Sequence, residues 1–213
     1  MILARVQHHP SRADLIPPLL EALKPLPTEV VRHESIPPDP WGGYRQCLSS
    51  LPDCSHVLIV QDDGQPCLNF VPALEQIAEA NPSTPVCLFM GSLPASTAIL
   101  VKRMLAAKKR KPYMPLSPAS FVPLVAVLWP REKAHDFLNW SRSHKTTRAD
   151  DGNASKWMRQ TKQLIHVSVP SLVQHDDSQL TVKGGREHIP WMESWRRALV
   201  LAEDALSYDW AAI

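Results

Sequence analysis

Glycine is scarce in this chain, with 7 among 213 residues, and no cluster of glycines offers successive backbone amides to cradle a phosphate chain. That scarcity argues against nucleotide-binding classes built on such a loop. The four cysteines, Cys47, Cys54, Cys67 and Cys87, have neither paired metal-finger spacing nor the density of a short secreted framework, and read as reduced, mostly buried thiols. Long apolar runs are missing too. None approaches the ~18 residues of a membrane span, and Met1 to Val6 turns polar too soon for a signal peptide. No membrane partner is expected, and the cytoplasm is the expected compartment. Neither sign of charge dominates, since 23 Lys and Arg face 21 Asp and Glu for a net +2, so nothing global demands nucleic acid. Repeats and low-complexity tracts are absent, and the 21 prolines only break the chain into short elements.

What is present is an alternation of apolar strands and amphipathic helices. Met1–Val6, Thr28–His33, His56–Val60, Pro85–Met90, Phe121–Trp129 and Ile165–Val169 read as strands. Between them, helices are expected from Ser11 as cap through Leu23, and over Trp41–Leu51, Phe70–Glu79, Pro94–Lys108, Arg131–Trp140 and Asn153–Gln163. Trp191–Leu206 reads as a C-terminal amphipathic helix. The order implies one α/β domain over 1–213, with a mainly parallel central sheet flanked by helices and ligand sites at the carboxyl ends of its strands.

The most telling strand is His56-Val57-Leu58-Ile59-Val60, because it runs directly into Gln61-Asp62-Asp63-Gly64. Two carboxylates at a strand end can hold a hard divalent cation that completes its shell with water and substrate phosphates. They can equally cap backbone donors in a turn. A second pair, Asp150-Asp151-Gly152, precedes a helical segment, where one acid could cap the helix and the other accept a proton from an attacking hydroxyl. A third cluster, Gln174-His175-Asp176-Asp177, sets an imidazole beside acids, and a neutral imidazole is an adequate ligand for Mn²⁺. His8, His9, Ser11 and Arg12 form a polar group after the first strand, either a turn and helix cap or a nucleotide contact.

Taken together, these segments resemble the GT-A class of nucleotide-sugar glycosyltransferases, especially small phage-encoded members. The resemblance covers most of the chain. It is carried by Val6-Gln7-His8-His9-Pro10-Ser11-Arg12, by Pro40-Trp41-Gly42-Gly43-Tyr44-Arg45, by Gln61-Asp62-Asp63 as a version of the family's Asp-X-Asp element, and by Pro170-Ser171-Leu172-Val173-Gln174-His175. It implies a GT-A-like, Rossmann-related domain in which residues 1–90 bind the nucleotide sugar and 91–213 complete the metal site and receive the acceptor. It further implies His9, Ser11, Arg12, Arg45, Gln61, Asp62 and Arg186 as donor contacts, with Lys183 as a companion to Arg186. Asp63 and His175 become the ligands of Mn²⁺ or Mg²⁺, a UDP-sugar the expected donor, and Asp150 or Asp151 the general base of an inverting transfer. Gln61 stands where the family has its first acid, a departure that touches the metal shell.

The acceptor is read from a local concentration of charge, Lys102, Arg103 and then Lys108-Lys109-Arg110-Lys111. Such a run is either a solvated helix end or a polyanion contact. Small phage glycosyltransferases include enzymes that modify hydroxylated pyrimidines in DNA, so the resemblance implies DNA as acceptor, with the host cytoplasm as the setting. Competing readings are transfer to a glycan or small molecule, a nucleotidyltransferase or phosphohydrolase, and a DNA-binding module without catalysis. Oligomeric state is not legible from the chain.

Overall fold

Strict alternation along three strands generates two hydrophobic cores, one on each face of the central sheet. In the computed structural model, which describes residues 1–91, 95–106, 112–116, 124–176 and 197–212, with the backbone alone for 95–100, β1 spans Ile2–His8 and β3 spans His56–Gln61. Leu3, Val57 and Ile59 enter one core, while Ala4, Val6, Leu58 and Val60 enter the other. β7 (Ala126–Pro130) divides in the same way, Val127 and Trp129 against Ala126 and Leu128. A strand buried on both faces needs helices above and below.

The first face is covered by α2 (Pro40–Leu48), α4 (Ala95–Ala106), α5 (Arg131–Ser143) and α6 (Asp150–Thr161), which contribute Tyr44, Val101, Phe137 and Trp157. Trp129 stacks on Phe137 with centroids 5.5 Å apart and donates its indole N–H to the Tyr44 hydroxyl at 2.8 Å, so these two polar aromatics pair inside the core. The second face is covered by α1 (Ile16–Ala22) and α3 (Phe70–Ala80), with Leu19, Leu74 and Ile77 inward. Each such fully buried side chain contributes about 1.5–3 kcal/mol.

The remaining strands are β2 (Thr28–Arg32), β4 (Gly64–Pro66), β5 (Val86–Cys87), β6 (Tyr113–Leu116), β8 (Ile165–Ser168) and β9 (Val173–His175). Seven of the nine strands among the described residues form the central sheet, in the order β2-β1-β3-β7-β5-β8-β6. β1, β2, β3, β5 and β8 run one way and β6 and β7 the other, which gives the expected α/β class with a mainly parallel sheet between helices. β4 and β9 pair separately, beyond the end of β3.

Several expectations are corrected. Residues 197–204 are not helical: their backbone bridges to Gly91, Ser171 and Leu68, with Leu199 N–H on Met90 C=O and Ala202 N–H on Ser171 C=O, so pairing with other segments overrides the helical pattern, and only a short 3-10 turn follows at Ala205–Ser207. The first six of the sixteen residues in that expected helix, 191–196, lie outside the described ones. Ser11 does not cap a helix. His9 does, accepting from the Ser11 amide at 3.3 Å ahead of a 3-10 turn over Pro10–Leu15, because Pro10 fills the first helical position. α6 starts at Asp150, three residues early, with Ala149 before it. The short strands β4, β6 and β9 carried no sequence signal of their own. All four cysteines are free, and burial pushes Cys47 and Cys87 up to about 12 and Cys67 up to about 11, which removes them as thiolate nucleophiles. No helix among the described residues is long and apolar enough to cross a membrane.

Candidate functional site at the carboxyl end of β3

The β1–β3 register sets the site. Gln7 pairs with Gln61, so the next residues, His8 and Asp62, emerge side by side where both strands leave the sheet. Asp62 N–H donates to Gln7 C=O at 3.0 Å, and its carboxylate turns back over the end of β1. There Oδ2 accepts from the His9 amide at 2.7 Å and from His8 Nδ1 at 3.1 Å, while Oδ1 accepts from Arg12 Nη1 at 2.9 Å. A carboxylate only accepts, so the His8 Nδ1 carries the proton.

Asp63 is held from the opposite side. Its Oδ2 accepts from the same Arg12 nitrogen and lies 3.2 Å from His175 Nε2. His175 arrives there because β9 pairs antiparallel with β4, in a register that sets it opposite Gly64, and because Asp176 N–H donates to Asp63 C=O at 2.7 Å. Gly64 is required at this junction: a Cβ would meet Val60 Cγ2 at 2.9 Å and Gln61 C=O at 3.1 Å. Both acids are nearly inaccessible, at 3% for Asp62 and 2% for Asp63. Burial pushes the Asp63 carboxyl up, but its bond to His175 and the charges of His175 and Arg12 outweigh this and leave it below the usual carboxylate range. Burial likewise lowers Arg12, and Asp63 and Asp62 more than restore it, so the guanidinium stays charged.

A bridge runs from this tip to the second acidic pair. Gln61 Nε2 donates to Asp150 Oδ2 at 3.2 Å, and the Asp151 amide donates to Asp150 Oδ1 at 2.9 Å. Asp150 and Asp151 sit in the first turn of α6, where the helix dipole favours negative charge. They cap no helix end as N-cap residues. Asp150 is buried, whereas Asp151 is half-exposed and accepts the Gly152 amide at 2.6 Å. The structure thus brings together His9, Arg12, Gln61, Asp62, Asp63, Asp150 and His175. Ser11 is exposed and meets the cluster through His9 Nδ1, by its hydroxyl at 2.8 Å and its amide at 3.3 Å, and Arg45 is exposed on α2. Lys102 and Arg103 are exposed on α4, and Lys108, Lys109, Arg110, Lys111, Lys183 and Arg186 lie outside the described residues.

Sequence reading missed a second set of polar atoms. Gln7 Oε1, His33 Nε2, Asp39 Oδ1 and Trp41 Nε1 are buried without a hydrogen-bond partner among the described residues, all near the start of α2 at the carboxyl ends of β1 and β2. Gly42 and Gly43 let this group close in, since a Cβ on Gly42 would meet Asp39 Oδ2 at 2.6 Å and His33 Nε2 at 2.9 Å. The Pro40-Trp41-Gly42-Gly43 segment carried the signal; His33 and Asp39 had none. His8 was legible in principle, because it continues the inward face of Ala4 and Val6.

Asp63 and His175 offer an oxygen and a nitrogen of the types that bind a hard cation. Asp63 Oδ1 is buried with no hydrogen-bond partner among the described residues, and an imidazole nitrogen lies against the same carboxylate. No group of three or more His, Cys, Asp or Glu side chains among the described residues is arranged to hold a metal ion by itself.

No family model matches the chain, and no curated protein matches it in sequence. Among solved structures, it is similar to a Drosophila beta-1,4-galactosyltransferase 7 mutant in complex with manganese, UDP-Gal and xylobiose, at 12% identity and a TM-score of 0.48 over 88% of this chain and 81% of that one. It is also similar to A197 from STIV, at 11% identity and a TM-score of 0.44 over 89% of this chain and 98% of that one. The fold class stands on the strand order of the chain itself.

Proposed function

We propose that this chain is a GT-A-type, metal-dependent glycosyltransferase that moves a sugar from a nucleotide diphosphate to a hydroxyl acceptor. What carries the reading is the buried Asp62-Asp63 tip of β3, bonded at once to Arg12 and, through Asp63, to His175. A structural turn has no need to bury two carboxylates together with a guanidinium and an imidazole, because each ion removed from water costs several kcal/mol. Asp63 and His175 would hold Mn²⁺ or Mg²⁺, which supplies charge neutralisation for the departing diphosphate. Asp62 fixes the backbone after β1 through the His9 amide, and so shapes the loop that the nucleotide, a UDP in the first instance, would meet. Ser11, Arg45 and Arg186 complete the proposed donor contacts.

Asp150 is the better of the two candidate bases. Gln61 holds one of its oxygens toward the β3 tip, whereas Asp151 turns toward its own helix end. In an inverting transfer, Asp150 accepts the proton of the acceptor hydroxyl as that oxygen attacks the anomeric carbon, and the sugar–diphosphate bond breaks on the opposite face. The Gln at position 61 supports this arrangement: a neutral donor tethers Asp150 where a third carboxylate would repel it.

The acceptor we favour is a hydroxymethylated pyrimidine in DNA, supported by the basic run Lys108-Lys109-Arg110-Lys111. Thermal-shift measurements with UDP, GDP and CDP, with and without Mn²⁺, test the donor site; no stabilisation by any pair at saturation rejects it. Mass spectrometry of hydroxymethylated DNA, ordinary DNA and oligosaccharides after incubation with sugar nucleotides tests the acceptor. Adducts on glycans alone reject DNA.

A further inference from the structure

One nitrogen of Arg12 serves two carboxylates. Nη1 bonds Asp62 Oδ1 at 2.9 Å and also Asp63 Oδ2, within a pocket where Arg12 is 7% exposed. The Asp63 oxygen that it holds is the same Oδ2 that faces His175 Nε2 at 3.2 Å. A divalent ion shared by Asp63 and His175 therefore needs the charge-neutralising position that the guanidinium fills. Two like charges within a few ångströms repel strongly where water cannot screen them.

Arg12 is also poorly secured against leaving. Its Nε is buried without a partner among the described residues, so the carboxylates are the recorded hold on the side chain. Its backbone breaks the surrounding 3-10 turn, with φ −119 and ψ 30. The turn lies at the rim, with Ser11 and Ala13 exposed on either side, so a path to solvent is short. Asp63 Oδ1, meanwhile, is a buried acceptor that no hydrogen bond satisfies among the described residues.

We propose that Arg12 is a resident counter-cation that a divalent ion displaces from Asp63, so that loading the site releases a guanidinium to pair with an anionic ligand at the rim. The inference rests on the reading of Asp63 and His175 as cation ligands. Before loading, Arg12 balances the buried carboxylates; after loading, the ion does, and the released side chain adds an anion contact that the empty site lacks. Cation and anion binding then favour each other through one side chain.

Titration of the purified full chain with Mn²⁺ alone, followed by the electron paramagnetic resonance of free Mn²⁺, reads the exchange without turnover. Arg12→Gln removes the competing charge and is expected to bind Mn²⁺ at least about tenfold more tightly than the parent, whereas Arg12→Lys, which keeps the charge, stays within about threefold. Mn²⁺ should also raise the melting temperature of Arg12→Gln more than that of the parent, because the ion restores the lost counter-charge. If the parent binds Mn²⁺ and Arg12→Gln binds it equally or less tightly, the exchange is overturned while the cation site stands. If neither binds, and Asp63→Ala is indistinguishable from both, the cation site itself fails and the exchange fails with it.

A variant that does not fold leaves a measurement on the parent protein. The side-chain ¹⁵N–H signal of Arg12, assigned by its loss in Arg12→Lys, should shift and exchange faster with solvent as Mg²⁺ saturates the site. An unchanged signal at saturation overturns the proposal.

Discussion

Asp62-Asp63-Gly64 and Asp150-Asp151-Gly152 are the same tripeptide in two settings, and the protein treats them differently at every position. At the end of β3 both acids are buried and bonded to charged partners; at the start of α6 only the first is buried, where it accepts from the Asp151 amide and Gln61. The glycines differ most. A Cβ on Gly64 would meet Val60 Cγ2 at 2.9 Å, whereas on Gly152 it would find its nearest neighbour, Ala149 Cβ, at an ordinary 3.6 Å. Strand register, which brings His8 and His175 to one tip, and the turn after β1, which adds Arg12, make an acidic dipeptide into a charged cluster; a helix start merely seats it against the dipole.

The comparison breaks most sharply at Asp63. Asp63→Ala should remove Mn²⁺-dependent stabilisation and lower turnover by about 10³-fold or more, the scale of several kcal/mol of lost charge neutralisation; turnover retained within threefold would place the ion elsewhere. Next comes the proposed base. Asp150→Asn should lower kcat by about 10² to 10⁴ with KM little changed, while Asp151→Asn stays within about threefold. The reverse pattern in steady-state kinetics would reassign the role.

The glycines give a smaller contrast in stability. Gly64→Ala should cost about 1–3 kcal/mol through displacement of β4 or Val60, whereas Gly152→Ala, inside a helix with room for the methyl group, should stabilise by up to about 1 kcal/mol. Urea melts of both variants decide this, and equal effects would contradict the packing at the β3–β4 junction.

Acidity sharpens the comparison last. The Asp63 carboxyl lies below its ordinary range in the folded protein, so its contribution to stability is present above the unfolded value of about 3.9 and is lost as pH falls through the lower, folded value. His56 and His166 behave differently: burial lowers both, most strongly opposed at His56 by its bond to Asn81 C=O. The unfolded chain then binds more protons below about 6.5, so stability declines as pH falls from there toward the folded values and is level beneath them. Melting temperatures across this range should show a shallow step near the histidine value and a steeper fall in acid. Asp63→Asn should remove part of the second without touching the first.

The fold was legible where periodicity was strong. β1, β3, α3 and α5 fall within two or three residues of their sequence positions, because alternating or helically spaced apolar residues meet a core on one or both sides. The stretch 197–204 misled for the opposite reason: Ala198, Leu201 and Asp204 bridge to three separate segments, which no local pattern encodes. At the site, the acids and His175 stood out as residue types, and their adjacency followed once β9 was known to pair with β4. Arg12 as the partner of both carboxylates was not legible. A 3-10 turn with a break at that residue decides where its side chain goes, and turns of that kind leave little trace in composition.

The two-stranded ladder of β4 and β9 has a consequence for motion. It is three residues long and separate from the seven-stranded sheet, and Val173 anchors its inner end in the core, so fraying is expected at the outer end, Gln174 and His175, while β1, β3 and β7 stay paired. Hydrogen exchange should therefore report two rates at one end of the molecule, fast at the amides of Gln65 and Gln174 and slow at Ile59. The end of the ladder that holds His175 would then be the least protected part of the β3 tip, with the rest of the architecture left closed.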